Sequence, residues 1–184
     1  MNHIAVVGYP ELSAEDQEWI ERVRASHDPQ APRLPVHVTF VFPCIAAPGR
    51  VIAEMNAVAA AMGPVSFRVT AAGAFADATG AGALVFLVPD DDGSLAITAL
   101  HDRLYQGELR PHLRTDIAFI PHLTVAAAAS LGECRALADS LRERGARVRG
   151  RVAEIALLDV TTSPAQTLYL CRLSGGPGGP ERRP

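Results

Sequence analysis

The chain has 184 residues, 48% of them apolar, enough for one well-buried fold without help from disulfides or structural metals. Its formal charge of -3 argues against a surface built mainly to grip long nucleic acid, though a local basic patch remains compatible with it. All 17 basic residues are Arg, which excludes a lysine nucleophile, a Schiff base, the Lys of a Walker A loop and a Lys-adenylating ATP-dependent ligase. Alongside abundant Ala, Gly and Pro, the Arg bias reads as a GC-rich coding sequence.

The N-terminus lacks the basic start and long apolar stretch of a signal peptide, and no segment approaches the length of a membrane span. Cys44, Cys134 and Cys171 are odd in number, widely spaced and set in apolar context, so they read as buried thiols of a reducing compartment. A cytoplasmic monomer with no membrane contact is the expectation.

In chain order, an apolar strand from Ile4 to Val7 ends at Gly8-Tyr9-Pro10. A helix capped by Ser13 follows, with Trp19, Ile20 and Val23 at roughly helical spacing, and Pro29 and Pro32 break it. Next comes the run Pro35-Val36-His37-Val38-Thr39-Phe40, read as a strand. Val51, Ile52, Met55, Ala59 and Met62 then predict a helix closed by Gly63-Pro64. Val65, Phe67 and Val69 alternate as a strand, residues 71–82 read as a Gly- and Ala-rich turn, and residues 83–88 as a fully apolar strand.

The second half replays this order. Ser94 is taken to start a helix carrying Leu95, Leu100 and Leu104. A loop with Arg110, His112 and Arg114 leads to Phe119-Ile120-Pro121-His122-Leu123-Thr124-Val125. Ser130 and Glu133 have capping-box spacing ahead of a helix that Gly145 ends. Two strands follow, within residues 147–160 and 166–173. Residues 1–174 are read as a single bilobed domain, and residues 175–184 as a flexible Gly/Pro-rich tail.

The repeated element is His-x-Thr. The two-residue period of a strand puts His37 and Thr39 on one face and Val36, Val38 and Phe40 on the other, and it does the same for His122 and Thr124 against Leu123 and Val125. A lone strand histidine is usually a structural residue; two copies in the same apolar setting point to a site. If the halves are related by an approximate two-fold axis, the four polar side chains converge in one cleft. Phosphodiester cleavage calls for one group that takes a proton and one that gives it near neutrality, and only histidine does both unperturbed. The Thr hydroxyls, about 7 Å along each strand, are placed to donate to phosphate oxygens.

The paired motifs, the aromatic-Pro run after the first and Phe-x-Pro-His before the second resemble the 2H phosphoesterase superfamily. The nearer likeness is to the bacterial RNA 2',3'-cyclic phosphodiesterases, also called 2'-5' RNA ligases. The resemblance implies an α+β, bilobed, pseudo-two-fold duplicated fold, with antiparallel sheets flanking a central cleft and helices outside. It implies catalysis by His37, Thr39, His122 and Thr124, no cofactor and no metal, and as partner a small nucleotide or an RNA end with a cyclic phosphate. Two departures stand out: four alanines, 126–129, follow the second motif where RNA-processing members often carry a basic residue, and the first motif runs into Phe42-Pro43 rather than Phe-Leu-Gly.

The favoured reading is therefore metal-independent hydrolysis of a 2',3'-cyclic phosphate, or of a 2'-5' linked nucleotide, with ATP-free ligation as its reverse. His122 is taken as the base that activates water and His37 as the acid at the leaving oxygen. The alternatives are an RNA- or nucleotide-binding module without turnover, which would not need two titratable groups, and a metallohydrolase, for which the ligand count falls short. Arg110, His112 and Arg114 read more readily as a solvated loop than as a phosphate site, and the basic run 142–151 as an exposed helix end and strand face. Residues 90–93 read as a turn and helix entry. His3, His27 and His101 are taken as structural or surface residues. Tyr9 is a candidate for stacking a base, and Phe40 is expected in the core.

Overall fold

The computed structural model describes residues 2–78, 80 and 82–175. In order, the elements are β1 (Asn2–Gly8), β2 (Glu11–Leu12), α1 (Ala14–His27), β3 (Val38–Ala46), α2 (Pro48–Ala61), β4 (Val65–Ala76) and β5 (Ala83–Pro89). They continue with α3 (Asp91–Leu104), a short 3-10 turn (Arg110–His112), β6 (Leu123–Ala128), α4 (Leu131–Gly145), β7 (Arg149–Val152), β8 (Glu154–Asp159) and β9 (Gln166–Arg172).

The strands form two antiparallel sheets, one in the order β3-β1-β8-β9 and one in the order β2-β7-β4-β5-β6. The duplicated α+β architecture expected from the motifs is present, and each His-x-Thr strand, β3 and β6, lies at the edge of its sheet. The halves are interleaved. The unit of strand, helix, motif strand, helix, strand occurs as β1-α1-β3-α2-β4 and again as β5-α3-β6-α4 with the strands that follow. Yet β4 leaves its own half to pair with β5, and β8 returns to pair with β1. The stretch read as continuing from 147 to 160 is split at Ala153, with β7 in one sheet and β8 in the other.

Local chemistry explains the helix starts. Ser13 accepts from the Asp16 amide, and Ser130 and Glu133 close a full capping box. Helix α3 begins three residues before Ser94, because Asp90 caps it by accepting from Gly93 N. Leu95, five residues before Leu100, faces solvent, 70% exposed, and Ile97, three residues before it, takes the inward position beside Leu100 and Leu104. Strand β4 runs on to Ala76 through what read as a turn. Its small residues face large ones across the hairpin, Gly73 opposite Phe86 and Ala72 opposite Leu87, so the pair supplies its packing volume from one side. The hairpin closes through Gly82 at φ +115°, backbone that a side chain rarely tolerates.

One continuous buried cluster joins both sheets, from Ile4, Val38 and Phe40 to Val69, Leu87, Leu123 and Val125. The tail expected from residue 175 begins with an anchored residue: the Gly175 amide donates to the carbonyls of Ala59 and Met62. The rest of that tail lies outside the described residues. No helix among the described residues is long and apolar enough to cross a membrane.

Candidate active site

Both motifs keep the expected alternation. Val36, Val38 and Phe40 are buried, while His37 and Thr39 are partly open; Leu123 and Val125 are buried, while His122 and Thr124 are partly open. The histidines sit one residue ahead of the strands that carry the threonines, β3 starting at Val38 and β6 at Leu123. That position leaves each ring free to turn its Nδ1 back on the chain. His37 Nδ1 donates to Pro35 O at 2.8 Å and His122 Nδ1 to Ile120 O at 2.5 Å. A carbonyl can only accept, so both neutral rings carry their proton on Nδ1 and leave Nε2 for the cleft.

The cleft has two arms. A cavity of about 380 Å³ is lined by His37 and Thr39 with Ala5, Val7 and Leu158. One of about 310 Å³ is lined by His122 and Thr124 with Phe42, Phe75 and Ile120. Thr39 belongs to both walls, so the arms meet between the motifs. A larger concavity, about 670 Å³, lies at the end of α1, but its Asp28 and Glu21 carboxylates are already engaged by Arg24. Neither Thr39 nor Thr124 has its hydroxyl hydrogen-bonded to another described residue.

Burial, the largest influence, pushes both imidazoles toward the neutral form: His37 below its usual 6.5, and His122 to about 4. The two rings also feel each other, since charge on His37 lowers His122 further. They differ in their surroundings. Around His37 the Arg24 charge opposes protonation while Asp28 and Glu21 favour it, whereas His122 lies against Phe86, itself stacked on Phe75.

The residues that hold the motifs were not legible as such. Arg24, 1% exposed, is buried one turn after Ile20 on α1, where Trp19, Ile20 and Val23 gave the apolar spacing; it bonds Asp28, Glu21 and the carbonyl of Leu34. Glu21 also accepts from Val36 N at 2.8 Å, so α1 suspends the chain immediately before His37. His101 is buried, with Nδ1 2.7 Å from Phe40 O and its ring stacked on Phe119, 3.7 Å between centroids, which ties β3 to the approach to β6. A buried Arg and a buried His look like surface residues in a single sequence, because burial depends on partners far along the chain.

Other candidates lie outside the cleft. Arg110 and His112 form the 3-10 turn and Arg114 pairs with Asp116, and none of the three lines either cavity. In the basic run, Arg142, Arg144, Arg147 and Arg151 are engaged by Asp139, Asp16, Glu143 and Glu11. Tyr9 packs against the buried cluster of Val7, Ala156 and Leu158, and Phe40 is fully buried. Asp90 to Gly93 form the cap of α3. Among the described residues no three His, Cys, Asp or Glu side chains gather where they could hold a metal ion.

Comparison with known proteins adds three findings. The family model described as "2'-5' RNA ligase superfamily" matches residues 10–163. A search of curated proteins returns no match. Among solved structures, TT0787 of Thermus thermophilus is similar at TM-score 0.63 with 17% identity, covering 94% of this chain and 98% of that one. LigT of Escherichia coli is similar at 0.56 with 15% identity and the same coverage. Usb1 of Kluyveromyces marxianus is similar at 0.57 with 12% identity, over 91% of this chain and 98% of its own. At such identities the likeness is one of fold.

Proposed function

Because this chain belongs to the 2'-5' RNA ligase superfamily, we propose that its cleft hydrolyses a 2',3'-cyclic phosphate on a nucleotide or RNA end, using His37, His122, Thr39 and Thr124. The observation that carries this reading is the matched state of the histidines: each presents Nε2, with Nδ1 held by the carbonyl two residues earlier, in arms of one cleft that meet at Thr39. Structural neighbours from Escherichia coli were solved with 3'-AMP and with phosphate, which is consistent with a phosphate between these groups.

In the proposed reaction a water attacks phosphorus as His122 Nε2 takes its proton. The bond from phosphorus to one ribose oxygen breaks, and His37 Nε2–H protonates that oxygen, leaving a phosphomonoester. The assignment follows the surroundings: the ring stacked on the apolar Phe86 is taken as the base, and the ring with carboxylates among its charged neighbours as the acid. Thr39 and Thr124 donate to the non-bridging oxygens, where charge builds up. With a 5'-hydroxyl in place of water, the same ring opening forms a bond from that oxygen to phosphorus and breaks the one to the 3' oxygen, giving a 2'-5' linkage without ATP, the reverse of 2'-5' diester cleavage.

The test is a panel of nucleoside 2',3'-cyclic phosphates, cyclic-phosphate-ended oligonucleotides and 2'-5' dinucleotides, assayed with and without excess chelator. Turnover that survives chelation supports the reading. Binding without turnover across the panel overturns it in favour of a nucleotide-binding module, and activity lost in chelator and restored by zinc or manganese makes the site a metallohydrolase.

A further inference from the structure

The arms of the cleft differ in charge. The His122 arm is walled by Phe42, Phe75, Leu84, Ile117 and Ile120, carries the Asp77 carboxylate and has no Arg among the described residues of its lining. The strand behind it continues into alanines 126–129, so β6 supplies no cation either. The His37 arm has an apolar floor of Ala5, Val7 and Leu158, and beside it stand Gln30 and Arg33, the single Arg among the described residues lining either cavity.

Arg33 is held there by its backbone. Its amide donates to Gln30 O at 2.9 Å, and its carbonyl accepts from Ala165 N at 3.1 Å, which pins it between the turn after α1 and the loop before β9. The turn is itself fixed by the buried Arg24–Asp28 pair, 2.9 Å apart. The Arg33 guanidinium has no ion pair among the described residues, unlike the arginines of the basic run 142–151 that are matched to carboxylates. The result is a preset cation at the wall of the His37 arm, with its charge unused.

We propose that Arg33 binds a second phosphate of the substrate, beyond the one held between the histidines, so that the enzyme prefers nucleotides carrying a 5'-phosphate or a 5' phosphodiester linkage next to the cyclic phosphate. This rests on the reading of the cleft as a cyclic phosphodiesterase site. The guanidinium suits the task, because its planar fork takes two phosphate oxygens at once, and its partial burial limits screening by salt.

The experiment compares adenosine 2',3'-cyclic phosphate with the same compound bearing a 5'-phosphate, in wild type, Arg33→Gln and Arg33→Lys. The wild type should favour the 5'-phosphorylated compound by about tenfold or more in kcat/KM, as expected for a charge-assisted hydrogen bond. That ratio should fall to about one in Arg33→Gln, with Arg33→Lys retaining part of it. A wild-type ratio near one, or one that Arg33→Gln leaves unchanged, overturns the proposal. Calorimetric binding of 5'-AMP against adenosine, on the same three folded proteins, separates this from failure of the hydrolase reading. Without turnover of either substrate, AMP affinity that falls in Arg33→Gln while adenosine affinity holds still assigns the phosphate to Arg33, and equal losses reject it.

Discussion

The imidazole of His122 lies flat against the ring of Phe86, centroids 3.6 Å apart and planes inclined by 16°. Phe86 belongs to β5 and pairs with Thr124, so the strand next to the second motif supplies the wall that keeps water from its histidine. Replacing Phe86 by the smaller Leu should raise the His122 pKa from about 4 toward 6.5, because burial is the largest cause of its depression. Titration of the histidine ring protons by NMR checks this, and an unmoved pKa would show that Phe86 is not the group that desolvates the ring.

Removing either proposed proton carrier should be severe. His37→Gln and His122→Gln should each lower kcat by about 10² to 10⁴, as loss of a general acid or base does, with little change in thermal midpoint. Thr39→Val and Thr124→Val should cost less, since each removes one of several donors to the phosphate. A folded His variant with full activity on a verified substrate would end the paired-site mechanism.

The pH dependence follows from the sign of the shifts. Usual histidine values would put the limbs of the profile on either side of neutrality. Burial moves them to the acid side: His122 stays neutral above about 4, and His37 is charged only below a pKa held under 6.5. In the free enzyme both limbs of kcat/KM should therefore lie below 6.5, falling toward acid as the base is protonated and toward base as the acid loses its proton. The limbs belong to the coupled pair. Bound phosphate favours the charged rings, so the kcat profile should lie at higher pH. A flat rate from about pH 5 to 9, with chemistry limiting, would exclude this acid–base pair.

Arg24 links stability to the site. Arg24→Met strands the Asp28 carboxylate, 2% exposed, and frees the Leu34 carbonyl, which should cost about 3 to 5 kcal/mol in chemical denaturation. The double variant Arg24→Met/Asp28→Leu should recover much of that loss, because no buried charge is left alone. If the single variant lost less than about 1 kcal/mol, the network would not be what holds the chain ahead of His37.

The two His-x-Thr motifs, their shared face and the strand-helix order around them were readable in the chain, because side-chain alternation and helix caps are properties of neighbours. Ser13 and the Ser130–Glu133 box lie where local chemistry puts them. What only the tertiary structure decided depends on residues distant in the chain. The exchange of β4 and β8 between the sheets requires knowing which edges meet. The burial of Arg24 and His101 depends on Asp28, Leu34, Phe40 and Phe119 closing around them. The charge difference between the arms arises because Arg33, four residues before His37, lines the His37 cavity on a backbone held by a hydrogen bond from Ala165. Sequence spacing specifies which way a side chain leaves its strand, but the dielectric and the partners it meets are set by the elements that fold against it.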